Sequence, residues 1–478
     1  MRSIYMFARS TIMWLGHGFA EVETLLNIID LVTTSDALWT LCWKASPGNH
    51  LSPASHIFDA LCTMAKFQYW SRAWVVQEIM FSQRVSVRYG SRRLKYDKLL
   101  DFWMAFVTTL DISGWKIANE SDYKQSYAAT LLETSGPAAL PIPDSARNGS
   151  YFTVEQWLDY TDIKEASDRR DHVYAYYGCF HPTFREGMEI DYGKTSVQVN
   201  TQMTKLSIEA LKHNALDIIL RAEHTFKEPS QPSWVPSFGR EGEARFRAPF
   251  GTRMVKKYKL NAGGPNNQAV RSAMTDIILS VRGVQIGTVN TFAMPLIEDA
   301  VDFKANDWFE GEDAIRATLI HFRQTWRSVR VPNCKNDVQS FIYSYLVRSV
   351  KAPDTTQQPQ LVTFLQDMTK KPEEAVGYIK SMLFTGYHVG RRMFSYSWTQ
   401  MPKTGGLGRE TEMVTRFGLG PKEMITGDKV CVLLGCSIPV ILRQLDGGHC
   451  IFIGGACVHG FMHGEAVDGK ETEEFGIV

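Results

Sequence analysis

The stretch YWSRAWVVQEI, residues 69–79, places several polar side chains inside an apolar segment. Around it, apolar residues recur near the spacing of one helix face, at Phe67, Trp70, Trp74 and Phe81. Trp74 and Glu78 are four residues apart and would share a face of that helix. A carboxylate beside an indole is costly to bury unless it is hydrogen-bonded or paired. We therefore expect these polar side chains to be held by partners from distant parts of the chain.

Two interpretations of the stretch remain open. In the functional one, it forms a pocket wall in which Arg72, Trp74 and Gln77 bind a ligand and Glu78 is a catalytic acid or base. In the structural one, Gln77 and Glu78 cap loop backbone amides, and Arg72 forms an ion pair that fixes a domain contact. We favour the structural interpretation, because buried polar networks commonly serve structure.

Composition places the chain among globular proteins. Of its 478 residues, 44% are hydrophobic and 22% are charged, which is typical of folded domains. The length predicts two or three domains or subdomains. The 52 basic and 51 acidic residues give a formal net charge of +1. That balance gives no electrostatic reason to expect nucleic acid or a membrane as the main partner.

The cysteines predict reduced thiols in an intracellular protein. They form no CxxC pair, so neither a disulfide framework nor a zinc site is indicated. The eight positions are Cys42, Cys62, Cys179, Cys334, Cys431, Cys436, Cys450 and Cys457. No apolar run reaches the roughly 18 residues of a membrane span, and Arg9 interrupts the apolar start, which argues against a secretory signal. We expect a cytoplasmic protein without a cofactor.

The first 110 residues are predicted to be mainly helical. Met1 to Trp14 is expected to form an amphipathic helix whose apolar stripe is Ile4, Ala8 and Ile12, with a mitochondrial presequence as the alternative. A second helix is predicted over 21–41. The segment RVSVRYGSRRL alternates like a strand that ends in a turn.

Mixed and then β-rich structure is predicted further along the chain. Thr195 is a plausible helix N-cap, the two prolines in PSWVPSF (232–238) indicate an extended segment, and DIILSVRGVQIGTV has the period of a strand. Residues 310–380 read as helical. In the β-rich final hundred residues, LDGGHC (445–450) predicts a hairpin turn and GLGP (418–421) a turn before a strand.

Two further stretches carry candidate chemistry. In SDRRDHVYAYYG (167–178), acids stand at the start of an apolar helix, where the helix dipole favours them. Asp171 is a candidate catalytic residue there, and His172 is expected to be a surface or capping residue. In VHGFMHGEAVD (458–468), His459 is a candidate catalytic residue. The glycines of that stretch argue against a helical metal site, so we expect no bound metal.

Several motifs taken in order resemble one protein family. They are IYMFARSTIMWLG, SRAWVVQEIMFSQRVSVRYG, SDRRDHVYAYYG, DYGKTSVQV, PSWVPSF, RFGLGPKEMITGDKVCVLLGCSIPVILR and GGACVHGFMHGEA. Together they resemble fungal heterokaryon incompatibility (HET) domain proteins, from residue 1 almost to the C-terminus. The family's Arg–x–Trp–x–x–Gln–Glu block matches Arg72, Trp74, Gln77 and Glu78. The resemblance implies that these side chains form a fixed network in the domain core.

The resemblance also implies a missing segment. Family members usually begin with about a hundred further residues, which hold a SYxWG-type strand, an α/β segment and a WIDaICINQ-type strand and loop. HET domains are distantly similar to TIR domains, some of which cleave NAD, and the candidate catalytic acid lies in that segment. We therefore do not expect NAD cleavage here. His463 stands where the family more often has Asp.

Three hypotheses for function follow. The first is a truncated or diverged HET-like protein of incompatibility and regulated cell death. The second is an enzyme of fungal specialised metabolism that reuses the scaffold, with an aromatic-lined pocket for a small apolar metabolite. Its acid or base would come from a set of four residues: His56, Glu78, Asp171 and His459. In the third, Met1 is an internal methionine, and the product would expose apolar faces and aggregate.

The fold expected from these observations is α+β. Four regions are predicted: 1–135, a helical remnant of a HET domain; 136–240, a helical middle region; 241–385, mixed strand and helix; and 386–478, β-rich. The expected partner is a protein or a small apolar metabolite, and a homo-oligomer is possible.

Overall fold

A computed structural model of the chain defines the fold. It describes residues 2–32, 55–112, 135–140, 151–161, 164–211, 213–223, 228–239, 260–264, 274–292, 391–400, 412–458 and 460–478, with single positions 37, 40, 41 and 132. The helix predicted over 310–380 lies outside the described residues.

The chain divides into two compact units. The first comprises residues 1–193 and 238–241, and the second comprises residues 194–237 and 242–478. Helices predominate in the first unit and strands in the second, so the fold is α+β, as the sequence predicts. The four-region division stays a prediction.

The first unit contains a three-stranded sheet and short helices. Its helices are α1 (Arg2–Phe7), α2 (Ala20–Leu31), α3 (Ser55–Ala65), α4 (Val75–Met80), α5 (Tyr96–Ile112), α6 (Val154–Thr161), α7 (Asp171–Tyr174) and α8 (Pro182–Arg185). Its strands are β1 (Thr11–Trp14), β2 (Val85–Tyr89) and β3 (Arg92–Lys95). β1 runs parallel to β2, and β3 runs antiparallel to β2.

The prediction of a single helix from Met1 to Trp14 is wrong. α1 ends at Phe7, and Thr11–Trp14 forms β1. Ile12 therefore does not share a helix stripe with Ile4; it alternates with the buried Met13 along a strand. The alternation of a four-residue strand is too short to compete with a helical period in the sequence, and pairing with β2 decides the conformation.

The opening stretch also departs from one continuous helix. Gln68–Ser71 forms a 3₁₀ turn, Arg72 is extended, and α4 begins after Trp74. The extended residue breaks the helix because it pairs with Glu165 as an isolated parallel bridge. Trp74 and Glu78 still lie one helical turn apart, and the Glu78 N–H donates to the Trp74 carbonyl at 3.3 Å.

Helix α9 (Ser196–Ala210) belongs to the second unit and confirms the predicted cap. The Thr195 hydroxyl accepts from the Gln198 N–H at 3.2 Å. The Gln198 side chain accepts from the Thr195 N–H at 2.8 Å, which completes a capping box.

PSWVPSF does not form a fully extended segment. A turn is closed by the Val235 N–H, which donates to the Pro232 carbonyl at 3.1 Å. The buried Trp234 indole donates to the Ile277 carbonyl at 3.0 Å. Proline biases only its preceding residue towards extended backbone, so the residues between the two prolines are free to turn.

The second unit is built around eight strands that include a closed ring. They are β4 (Leu279–Phe292), β5 (Arg391–Gln400), β6 (Glu412–Pro421), β7 (Lys429–Leu433), β8 (Val440–Gln444), β9 (Cys450–Gly455), β10 (Cys457–Val458) and β11 (Glu473–Ile477). Pairings run from β4 through β11, β9, β8 and β7 and return to β4. β5, β6 and β10 follow in succession from β4.

The apolar faces of these strands meet in one core. Its fully buried members include Val430, Val432 and Ile441. The hairpin predicted at LDGGHC is confirmed, since Gly447 and Gly448 both have positive φ and the Leu445 N–H donates to the His449 carbonyl. GLGP is not a turn but the end of β6, where Gly418 and Gly420 face the Phe394 ring closely.

Among the described helices, none combines the length and apolar character needed to cross a membrane. The described cysteines, six of the eight, are free thiols.

Candidate functional site

The candidate site comprises Arg72, Trp74, Gln77 and Glu78 with the facing Asp171, and we call it the Arg72–Glu78 cluster. Two contacts with Glu165 hold the residues at the start of the cluster. The Ala73 N–H donates to the Glu165 carbonyl at 2.9 Å, and the Ser71 hydroxyl donates to the Glu165 carboxylate at 3.0 Å. The Arg72 side chain is exposed.

Trp74 contacts the second motif directly. Its indole N–H donates to Asp171 Oδ2 at 3.0 Å, and the Tyr192 hydroxyl donates to Asp171 Oδ1 at 2.6 Å. Burial, followed by the bond to Asp171, raises the pKa of Tyr192. Both oxygens of this carboxylate are thus engaged by the fold.

Gln77 is almost completely buried and makes the next contact. Its Nε2 donates to the Ala175 carbonyl at 2.7 Å. Its Oε1 lies 2.8 Å from the position that a Cβ atom at Gly178 would occupy, so a larger residue there would require the Gln77 side chain to move. The Ala-Tyr-Tyr-Gly run and the Gln therefore fit one another, which explains why both stretches occur in one chain.

Glu78 is half-buried and accepts from the Tyr5 hydroxyl in α1. Burial is the main cause that raises the pKa of Tyr5 to about 12, and the negative charge of Glu78 adds to it while Arg72 opposes it. The pKa of Tyr69 is raised in the same way by burial and then by Glu78. The carboxylate thus has distant partners, as the sequence predicts.

Two comparisons with known proteins bear on the family of the chain. The family model of the Het-6 beta-barrel domain matches residues 395–478, where β5 to β11 lie. Heterokaryon incompatibility protein 6, OR allele, of Neurospora crassa is 21% identical over 376 residues, which cover 65% of this chain and 51% of the relative.

Both findings support the resemblance to the heterokaryon incompatibility (HET) family. The chain spans about half the length of the curated relative it matches. No solved structure matches it.

The structure also locates the other predicted site residues that lie within its described parts. The structure brings Glu78 and Asp171 into one unit, on either side of Trp74. His459 and the side chain of His56 lie outside the described residues, so their predicted roles stay predictions. Among the described residues, no group of three or more His, Cys, Asp or Glu could hold a metal ion.

The prediction that His172 is a surface or capping residue is wrong. The residue is 6% exposed. Its carbonyl accepts from the Trp157 indole at 3.2 Å and from the Thr161 hydroxyl at 3.1 Å, and its ring covers Gly239. Helix α7 directs His172 inward, while its neighbour Asp171 turns towards Trp74.

Sequence reasoning missed Lys164, which is buried beside the Trp70 backbone. Its ammonium donates to the Trp70 carbonyl and is 1% exposed. Burial lowers its pKa from 10.5 to about 7. A single lysine between polar residues gives no sequence signal of burial, since lysine is almost always exposed.

Two buried acids in the second unit were also missed. Glu223 pairs with Arg391 at 2.7 Å with both side chains 1% exposed, and Arg391 donates to the Gly455 carbonyl at 2.7 Å. Asp217 accepts from the N–H and the hydroxyl of Ser437 at 2.7 and 2.6 Å. Burial raises the pKa of Asp217 to about 6.

Proposed function

We propose that this HET-like protein acts in heterokaryon incompatibility, as a non-enzymatic recognition protein of regulated cell death. The barrel-domain match and the relative named as an incompatibility protein support this proposal. The comparisons give no support to an enzyme of specialised metabolism.

The observation that carries the non-enzymatic part is the set of partners of the Arg72–Glu78 cluster. Trp74 bonds Asp171, Gln77 bonds the Ala175 carbonyl, and Glu78 accepts from Tyr5. These partners come from two separate segments of the first unit, α1 and α7 with its C-cap. Groups already engaged in this way stabilise a fold and are poorly available to a substrate.

In the proposed mechanism, the cluster holds α1, α4 and α7 together so that recognition surfaces elsewhere on the unit keep their shape. The competing prediction assigns Glu78, Asp171 and His459 to catalysis and Arg72, Trp74 and Gln77 to ligand binding. The two differ in whether activity can be lost without loss of stability.

The test is conditional expression in filamentous fungal strains of opposite incompatibility genotype. Wild type, Glu78→Gln and Asp171→Asn are compared, with Glu155→Gln on the exposed side of α6 as the matched control. Cell viability and the melting temperature of each purified protein are measured. We expect Glu78→Gln and Asp171→Asn to lower the melting temperature and to weaken cell death together, so that viability rises, and the control to change neither.

Two outcomes would contradict the proposal. Loss of cell death in Glu78→Gln at an unchanged melting temperature would assign the carboxylate to catalysis or ligand binding. Full viability of every strain that expresses the wild-type chain would remove the incompatibility function.

A further inference from the structure

The three-stranded sheet of the first unit has one buried face and one largely exposed face, on which the central Ser86 is buried. Met13, Val87 and Leu94 are registered with one another and are at most 3% exposed. On the other face, Trp14 is registered with Arg88, and Arg88 with Arg93; in the next row, Ile12, Ser86 and Lys95 are registered. We call Ile12, Trp14, Arg88, Arg93 and Lys95 the basic face.

The basic face combines cations with exposed apolar groups. Ile12 is 52% and Trp14 50% exposed, and the Arg88 guanidinium lies 5.7 Å from the centre of the Trp14 ring. The three strands contain four cationic residues and no acidic one. The strands themselves therefore carry charge of one sign, although the whole chain is nearly neutral.

The direct pairing of Arg88 with Arg93 is unfavourable for the sheet. Like charges opposite one another on neighbouring strands destabilise the pair. A sequence that served stability alone would place an acid at one of the two positions. The like-charge pair is expected where an anionic partner relieves the repulsion.

The outer edge of β1 adds a second feature. The N–H groups of Thr11 and Leu15 donate to the Arg84 and Arg88 carbonyls, on the side of β2. The backbone N–H and C=O groups of Ile12 and Trp14 therefore point away from β2. Among the described residues, β1 pairs with β2 alone. An open strand edge is a template for pairing with another extended segment.

We propose that the basic face and the outer edge of β1 form a docking surface for an extended acidic segment of a protein partner, which adds a strand beside β1. Its backbone pairs with Ile12 and Trp14, its apolar side chains cover them, and its carboxylates reach Arg88, Arg93 and Lys95. The surface shares no residue with the Arg72–Glu78 cluster, so the inference stands independently of the proposed function.

The open edge favours a polypeptide over the other anions that a basic face attracts. Only a polypeptide supplies the N–H and C=O groups that continue a β-ladder, and this mode of recognition takes affinity from main-chain bonds and specificity from side chains. Nucleic acid and anionic membranes would use the cations and leave the edge unpaired.

The test uses a fluorescent peptide of about ten residues that alternates glutamate and valine. The full chain is titrated with it at about 50 and about 500 mM salt. A lysine–valine peptide, a single-stranded oligonucleotide and phosphatidylserine vesicles serve as comparison probes. We expect saturable binding of the glutamate–valine peptide that weakens at high salt, and hydrogen exchange over residues 11–15 that slows when the peptide is added.

Arg93→Glu is the decisive variant. A carboxylate opposite Arg88 removes the repulsion, so the melting temperature should rise while peptide affinity falls by about tenfold or more. The matched control is Arg92→Glu, which changes net charge equally but is registered with Tyr89 on the other face. It should keep peptide affinity within about twofold of wild type.

Several results would overturn the inference. These are absence of peptide binding, equal losses in Arg93→Glu and Arg92→Glu, and binding of the oligonucleotide or the vesicles without binding of the peptide. Residues 11–15 already protected from exchange in the free protein would mean that this chain itself covers the edge, and the inference would be wrong.

Discussion

At the scale of single residues, the stability of the first unit depends on hydrogen bonds between buried polar groups and specific partners. Gln77 illustrates this dependence: it is 3% exposed, and its amide meets a main-chain carbonyl of α7's C-terminal end. Removing such a donor leaves a buried acceptor with neither protein nor water to bond, which costs more than the bond itself contributes.

Gln77→Leu should lower the free energy of unfolding by about 1–3 kcal/mol, because the Ala175 carbonyl loses its donor in a buried place. Urea denaturation followed by circular dichroism measures the change. Gln83→Leu is the control, since Gln83 is exposed and its amide lies 3.5 Å from the Met6 carbonyl. Equal effects of the two substitutions would show that Gln77 is not held as described.

Lys164→Met should stabilise the protein, and more at low pH than at high pH. Because the pKa falls from 10.5 to about 7, the folded state binds fewer protons than the unfolded state between these values. Stability therefore rises with pH through that window, and the cost of the buried charge is complete below pH 7. After subtraction of the lost bond to the Trp70 carbonyl, we expect a gain of about 2 kcal/mol near pH 6.

The measurement is the free energy of unfolding of Lys164→Met at about pH 6, 8 and 10, relative to wild type. Lys95→Met, at an exposed position of β3, should show no trend with pH. A gain that is the same at every pH, or a loss that deepens at low pH, would contradict a neutral buried amine.

At the scale of elements, the predictions that hold depend on local sequence, and the largest error comes from a non-local contact. The capping box at Thr195 and the hairpin turn before His449 depend on neighbours in the sequence, and both were predicted. The sequence favours a helix at β1, whereas its conformation is set by β2, which lies some seventy residues away. The sequence predicts distant partners for Glu78. It does not identify Tyr5 as one of them, because that contact depends on the fold.

The ion pair of Glu223 and Arg391 joins the segment after α9 to the strands β5 and β9. The Glu223 carboxylate accepts from the Gly455 N–H at 2.9 Å, and it lies where a side chain at Gly454 would begin. Because Gly454 has no side chain, the buried Glu223 carboxylate can approach the backbone of β9.

Glu223→Gln should cost about 3 kcal/mol, because it leaves the Arg391 guanidinium buried without its counter-charge. Adding Arg391→Met should restore part of the loss, so that the double variant is more stable than the sum of the single changes predicts. Asp30→Asn, which breaks a partly exposed pair with Lys98, is the control and should cost less than about 1 kcal/mol. Additive single effects at Glu223 and Arg391 would contradict the coupling.

At the scale of the whole molecule, the α+β class predicted from the sequence is confirmed, and the comparisons support the predicted family. The order of the motifs supports the predicted family, because each motif alone is too variable to identify it. The placement of buried charges could not be predicted: Lys164, Glu223 and Arg391 look like surface residues in sequence, and burial depends on contacts between segments far apart. The residues assigned to catalysis stay a prediction.

The ring of the second unit has a consequence for biosynthesis. Gly283 of β4 pairs with Glu473 of β11 and with Leu433 of β7, so β4 leaves the ribosome long before either neighbour exists. Contacts of such high sequence separation slow folding, and a nascent chain in this interval carries an unpaired strand that is prone to aggregation. Production of the protein should therefore benefit from slow translation at low temperature and from chaperones that shield β4 until residues 473–477 have emerged.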